Sequence, residues 1–336
     1  MAVYTNISDE ELRVFLESFD IGTLISFRGI AEGVENSNFY ICTSKGKYIL
    51  TLYEKRVNVQ ELPWFLGFMR YLASQGVICP QPVPDRQGRT LKRLAHRPAT
   101  ITTFLTGAWP RVVKLENCRP LGRALAQLHL AGQNYPQERA NTFGVDAWSS
   151  LLVSCEQGAD TVKCGIFQEL SDSLSRIQAL WPKQAQDPTQ KERGQKNTLS
   201  YLPRGQIHAD LFPDNVFFHN YKVSGIIDFY FACTDFLAYD IAICLNAWCF
   251  STEGVFNTTF SRHILQGYEE IRPLEPAERH MMPLLAQGAA LRFLLTRLYD
   301  WIHAPTRGMV TLKDPLEYLV RLRFHQRVED ICNYGL

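Results

Sequence analysis

Apolar and polar positions follow two rhythms along this chain, and the change falls near residue 106. Upstream, short runs rich in Phe, Ile, Tyr and Leu at 24–31, 37–43 and 47–53 are separated by turn residues such as Ser44-Lys45-Gly46, which predicts consecutive antiparallel strands. Ahead of them Ser8 and Glu11 have capping-box spacing, with Ile7 and Leu12 placed as a hydrophobic staple. A short helix burying Leu12, Phe15 and Phe19 is expected there. A helix from about Gln60 to Ser74 follows, with Pro63 in its first turn, then a Pro/Gly-rich connection over 80–88 and two further strands near 89–94 and 98–105. Beyond Gly107 the period becomes helical, opening with Leu121, Leu125 and Leu128 and stopping at Gly132. Segments 147–181 and 257–335 are mostly helical in pattern, while the Gln/Lys-rich stretch 183–199 reads as a mobile surface loop. The expected architecture is α+β in two lobes, 1–106 with an antiparallel sheet plus helix, and 107–336 mostly helical.

Composition narrows the functional classes. With Lys+Arg 35 against Asp+Glu 34 and 46% hydrophobic residues, the chain has the makeup of a globular protein, and no charge excess calls for nucleic acid or an anionic membrane. The nine cysteines are an odd number and form no Cys-x-x-Cys pair, so they are expected to be reduced packing residues. Residues 1–11 lack the basic and apolar blocks of an export signal, and no run is apolar for the roughly 18 residues of a membrane span. A cytoplasmic location is the expectation.

The segment from Ile207 to Phe218 carries the chemistry. His208 and Asp210 are followed five positions later by Asn215, the spacing of a kinase catalytic loop. A strand, a turn at 219–222 and a second strand, Val223 to Ile227, then deliver Asp228. Phosphoryl transfer needs a group that orients the attacking hydroxyl and oxygen ligands for Mg²⁺. Asp210 can accept the hydroxyl proton, and Asn215 with Asp228 can hold the metal. Taken singly, each has an ordinary structural alternative, a helix cap for Asp or an Asx-turn for Asn. The ordered set among apolar strands favours the chemical reading. His208 is expected to support the loop rather than carry a proton. Asp240 opens an apolar helix and is expected to tie the loop down, whereas Asp235 is open between a cap and a contact to a substrate ammonium. In the first lobe the stretch Gly33 to Phe39 could fold over phosphates through backbone N–H groups, Ser37 and Asn38, with a plain hairpin turn as the alternative.

Together these residues resemble the aminoglycoside phosphotransferase and choline kinase superfamily. The runs GIAEGVENSNF (29–39), YILTLYEK (48–55), HADLFPDN (208–215), IDFYFA (227–232), ICLNAW (243–248) and RFLLTRLYDW (292–301) resemble its type II homoserine kinase branch, over nearly the whole chain. The resemblance implies a bilobal protein-kinase-like fold and ATP-dependent phosphorylation of the side-chain hydroxyl of L-homoserine in threonine biosynthesis. By it Asp210 is the base, Asn215 and Asp228 bind Mg²⁺, and backbone groups at Thr103, Phe104 and Leu105 hold adenine at the hinge. The missing Asp-Phe-Gly and Ala-Pro-Glu argue against a protein kinase. The third-strand lysine of the superfamily is replaced by Thr51; Lys47, Lys55 and Arg56 are candidates to supply the charge, and Glu61 is a candidate acidic partner. Homoserine is a zwitterion, so Arg292 and Arg297 are expected to meet its carboxylate, and Asp235 or Asp300 its ammonium. An interhelical ion pair is the alternative for each arginine. Tyr230 could wall the pocket or fill the core, and Trp248 is expected in the core. A kinase of choline, an aminoglycoside or another amino alcohol, and a non-catalytic nucleotide-binding protein, are the competing readings.

Overall fold

The computed structural model describes residues 5–30, 36–54, 58–182, 202–303 and 312–336. It divides into two compact units, Met1–Ala108 with Ser224–Tyr230, and Trp109–Val223 with Phe231–Leu336. The expected 183–199 loop, residues 33–35, Lys55 and Arg56 lie outside the described residues.

In the first unit, α1 (Asp9–Leu16) begins at Ser8, whose hydroxyl accepts from Glu11 N–H while the Glu11 carboxylate accepts from Ser8 N–H, the reciprocal cap read from the sequence. The sheet follows in the order β1-β2-β3-β5-β4, every pair antiparallel. Its strands are β1 (Leu24–Ile30), β2 (Ser37–Thr43), β3 (Gly46–Leu52), β4 (Lys92–Leu94) and β5 (Arg97–Thr103), and α2 (Leu62–Ser74) lies between β3 and β4 in sequence. Side chains alternate across a strand, so one sheet face buries Phe39, Ile41, Leu50, Leu52 and Ile101 against Leu12, Phe15, Leu16 and Phe19. The opposite face presents Asn38, Tyr40, Lys47, Ile49 and Thr51.

In the second unit, α3 (Leu115–Gly132) begins six residues before the first periodic leucine, Leu121, with Pro120 inside it. It crosses α8 (Thr258–Glu269) where glycines replace side chains: a Cβ on Gly122 would run into the Ile264 carbonyl, and one on Gly267 into that of Arg119. Helices α4 (Val145–Ser154), α5 (Glu156–Val162) and α6 (Ile166–Leu180) follow α3 in sequence. Two short strands, β6 (Arg204–Ile207) and β9 (Cys233–Phe236), pair antiparallel, with Ile207 opposite Cys233 and Arg204 opposite Phe236. Between them the chain forms the hairpin β7 (Val216–His219) and β8 (Lys222–Ile226). Its two turn residues, Asn220 and Tyr221, have φ of 48° and 60°, the mirror-image turn that suits the strand twist. After β9 come α7 (Leu237–Trp248), α9 (Pro276–His303) and α10 (Leu316–His325). Helix α7 is buried at every position but Ala247, so its apolar character runs round the whole helix.

The contact division follows Ala108 rather than residue 106 and returns Ser224–Tyr230 to the first unit. That segment is tied in by Ile226 N–H donating to the Ile78 carbonyl (2.9 Å), by Phe229 against Phe68 and by Tyr230 bonded to Tyr53. Seven of the nine cysteines are buried or half-buried and none is disulfide-bonded. No helix among the described residues is long and apolar enough to cross a membrane.

Candidate active site

Strand β6 ends at Ile207, and the next residues form a loop that buried groups hold from behind. Asp240, in the first turn of α7 and fully buried, accepts from the backbone N–H of His208 (2.7 Å) and Ala209 (2.9 Å). Ala209 has φ of 61°, a conformation that a residue with a Cβ adopts at a cost of roughly 1–2 kcal/mol. The two bonds from the carboxylate sustain it. Burial pushes the Asp240 carboxyl up, but the His129 hydrogen bond and the surrounding donors more than offset this, and it lies below its ordinary range. His208 is fully buried and its Nδ1 accepts from Asp210 N–H at 3.3 Å. The Trp248 indole donates to the Leu211 carbonyl (2.7 Å), fixing the other side of the loop.

These supports deliver Asp210, whose side chain is 18% exposed. Burial raises its carboxyl above the usual range, with Arg292, His208 and Lys313 partly opposing. Asn215 closes the 3₁₀ turn Pro213–Asn215 and donates from Nδ2 to the Asp210 carbonyl (2.8 Å) and to Asp210 Oδ2 (3.2 Å). This fixes the amide orientation and leaves Asn215 Oδ1 with no donor among the described residues. Arg292 on α9 places Nη1 3.7 Å from Asp210 Oδ1, and its guanidinium lies 3.8 Å from the Phe293 ring centre, with Phe143 at 5.2 Å and Phe231 at 5.4 Å. Lys313 Nζ sits 5.3 Å from the ring of Phe212, in the loop that carries Asp210.

In the first unit Asp228 has φ of 65°, an unusual backbone for a residue other than glycine. Two residues on, the Tyr230 hydroxyl meets that of Tyr53 at 2.7 Å, against Phe65. Thr51 stands opposite Asn38 in the β2–β3 register and donates to its Oδ1 at 2.8 Å. At the end of β5, Thr103 N–H donates to the Gln81 carbonyl and Phe104 N–H to the Lys47 carbonyl, while Leu105 N–H has no acceptor among the described residues.

Residues 26–274 match the family described as the phosphotransferase enzyme family, three quarters of the chain. The chain belongs to the phosphotransferase enzyme family. Curated relatives include proteins named homoserine kinase from Gluconacetobacter diazotrophicus, 56% identical over the full length of both chains, and from Gluconobacter oxydans, 55% identical over 98% of this chain and all of that one. Among solved structures, an amicoumacin kinase in complex with AMP-PNP and Ca²⁺ superposes with a TM-score of 0.66 at 15% identity, covering 97% of this chain and 95% of that chain. At that identity the likeness shows the fold alone: the bilobal α+β architecture of phosphotransferases. As a member of this family the protein uses ATP.

Against this phosphotransferase frame the residues expected from the sequence separate. Asp210, Asn215, Arg292, His208 and Asp240 come together around one loop. Ser37 is fully buried and its hydroxyl donates to Glu54 Oε1 at 2.8 Å. Asp235 does not cap α7, whose N-cap Phe236 has no side-chain cap bond; its Oδ1 accepts from Phe236 N–H and its Oδ2 from the Asn141 amide (2.7 Å). Burial pushes its carboxyl up, partly offset by Asn141. Arg297 is engaged by Glu317 Oε2 (2.8 Å) and the Asp314 carbonyl, the ion-pair alternative, and Asp300 is exposed near the end of α9. Lys47 lies four residues of strand, about 13 Å, from Thr51, and its carbonyl accepts from Phe104 N–H. Glu61 is half-buried in the 3₁₀ turn before α2. Trp248 is buried in the interior of its unit, and Tyr230 is half-buried against Tyr53 and Phe65.

Two features escaped the sequence reading. His129 on α3 is buried between Asp240 (Nε2 to Oδ2, 3.2 Å) and the Tyr268 hydroxyl (2.8 Å from Nδ1), extending the support behind the loop into α8. Its only signal was a histidine on the apolar face carrying Leu121, Leu125 and Leu128. The aromatic cage of Arg292 is drawn from the 141–143 turn, the segment after Asp228 and α9 itself, so no local pattern announced it.

Proposed function

We propose that the protein transfers the γ-phosphoryl group of ATP to the side-chain hydroxyl of L-homoserine, giving O-phospho-L-homoserine and ADP in threonine biosynthesis. The hydroxyl oxygen forms the new bond to phosphorus, the bond from the γ-phosphorus to the β,γ-bridging oxygen breaks, and Asp210 takes the hydroxyl proton. A carboxylate raised by burial is a better proton acceptor than one in water, while the nearby cations favour its ionised form at neutral pH. The single observation that carries the reading is Asp210 itself, aimed by its own N–H, by Asn215 and by a loop pinned to Asp240. Whole-chain similarity to the homoserine kinases supplies the acceptor.

Asn215 Oδ1 and the Asp228 carboxylate are hard oxygen donors of the kind Mg²⁺ takes. Held there, Mg²⁺ would supply positive charge to offset that of the phosphates during transfer. For the nucleotide, the reading assigns the Asn38 amide N–H groups, which have no acceptor among the described residues, and the backbone from Thr103 to Leu105.

ADP release from Mg-ATP across L-homoserine, L-serine, L-threonine, choline and kanamycin tests the assignment. Homoserine is expected to be preferred, and Asp210→Ala to lower kcat by about 10³-fold or more while ATP binding persists. Preference for another acceptor overturns the substrate; full activity of the Asp210 variant overturns the base.

A further inference from the structure

Arg292 presents an unresolved electrostatic problem. It is 4% exposed and stands on α9 among Ala289, Ala290, Leu291, Leu294 and Leu295, all fully buried. Removing a guanidinium from water is expensive unless its N–H groups find acceptors. Here they do not: Nη1 has no hydrogen-bond partner, and the guanidinium makes no hydrogen bond among the described residues. The carboxylate that pairs with it among the described residues, Asp210 Oδ1, is 3.7 Å away, beyond hydrogen-bond reach. Cation–π contacts with three rings hold and orient the guanidinium plane, but they leave its N–H edge unspent. A structural ion pair would close to a forked contact. This one stays open, beside the group assigned as the base.

We propose that Arg292 binds the α-carboxylate of the acceptor, making the site selective for hydroxyl substrates that carry a carboxylate over amino alcohols that lack one. The inference rests on the reading of the protein as an L-homoserine kinase and adds the group that sets its substrate class. A planar fork of donors matches a carboxylate in two hydrogen bonds. An acceptor without that group leaves the buried N–H edge without a hydrogen-bond acceptor, the kind of mismatch that a binding site rejects most strongly. The position next to Asp210 brings both ends of a four-carbon hydroxy amino acid within reach, its hydroxyl at the carboxylate and its own carboxylate at the guanidinium.

The test is kcat/KM for L-homoserine relative to 3-aminopropan-1-ol, the same chain without the carboxylate, in the wild type, Arg292→Met and Arg292→Lys. Taking the ratio within each protein cancels a general loss of activity through Asp210 or through a damaged fold. The wild-type ratio is expected to be on the order of 100 or more, to fall towards unity in Arg292→Met, and to be intermediate in Arg292→Lys, which keeps the charge and loses the fork. A wild-type ratio near unity, or a ratio in either variant within about threefold of the wild type, overturns the proposal. If Arg292→Met does not fold, Arg292→Lys and the wild-type ratio decide it. Absence of homoserine-dependent ADP release from the wild type removes the functional reading and this inference with it. Homoserine turnover with an unchanged ratio removes this inference alone.

Discussion

Replacing Asp240 by Asn probes the support of the catalytic loop with a change of one atom and one charge. The carboxylate accepts from His208 N–H on Oδ2 and from Ala209 N–H on Oδ1, and Oδ2 also meets His129. An asparagine offers one acceptor oxygen, and its amide group then points donors at a backbone donor. One buried N–H goes unpaired, and hydrogen bonds to a charged acceptor, worth about 1.5–3 kcal/mol each, are lost or weakened. Breaking a buried charged cluster by altering one partner costs about 3–5 kcal/mol, and the left-handed Ala209 loses the contacts that sustain it. In an unfolding unit of this size that loss lowers Tm by about 10 °C. Because the loop carries Asp210, kcat is expected to fall about 100-fold with the KM for ATP nearly unchanged. Thermal unfolding and steady-state ADP release read the two effects. An unaltered Tm together with an unaltered kcat would refute the view that this carboxylate holds the loop. The pH dependence has a definite sign: Asp240 lies below its unfolded value near 3.8, so its contribution is present above about pH 4 and is lost as pH falls through the lower, folded value.

Gly122→Ala places a Cβ against the backbone of α8, with Tyr268 N at 2.8 Å and the Ile264 carbonyl closer still; overpacking of about 1–3 kcal/mol should outweigh the gain in helix propensity, lowering the urea midpoint, and an unchanged midpoint would contradict the close crossing of α3 and α8. Burial lowers His325 to about 3, and its Nδ1 lies 2.8 Å from the Tyr334 hydroxyl. The unfolded chain therefore takes up a proton at this histidine that the folded chain refuses, so stability should decline as pH drops below about 6.5, by about 2 kcal/mol at pH 5. His325→Gln should remove that component of the decline, and equal slopes in the two proteins would refute it.

Much of the first unit was legible because its signals are local. Alternation fixes which strand residues face the core, Ser8 and Glu11 cap their own helix, and the turns between strands carry Gly, so β1, β2 and β3 lie within a residue or two of the expected bounds. Strands β6 and β9 were not legible. At four residues each, β9 buried throughout, they show no period, and they exist because they pair with each other across the catalytic loop. The expected boundary near residue 106 had no means of returning Ser224–Tyr230 to the first unit, since hydrogen bonding to Ile78 and ring packing on Phe68 make that assignment.

For the site, spacing alone determined the order Asp210, Asn215, Asp228 and, through whole-segment resemblance, the family. It could not choose between meanings for one residue type. Asp235 and Asp240, five positions apart, read alike as helix-entry carboxylates, yet one closes on Asn141 and its neighbour's N–H while the other receives two N–H groups of the catalytic loop. Arg292 and Arg297 lie on the same helix, yet Glu317 hydrogen-bonds Arg297, while Arg292 Nη1 has no hydrogen-bond partner among the described residues and stands 3.7 Å from Asp210. A sequence determines what a residue can donate, accept or titrate, and how it repeats along its own element. Which partner answers it depends on segments brought together from far along the chain, and only the tertiary structure decides whether a buried charge is already satisfied or still open to a ligand.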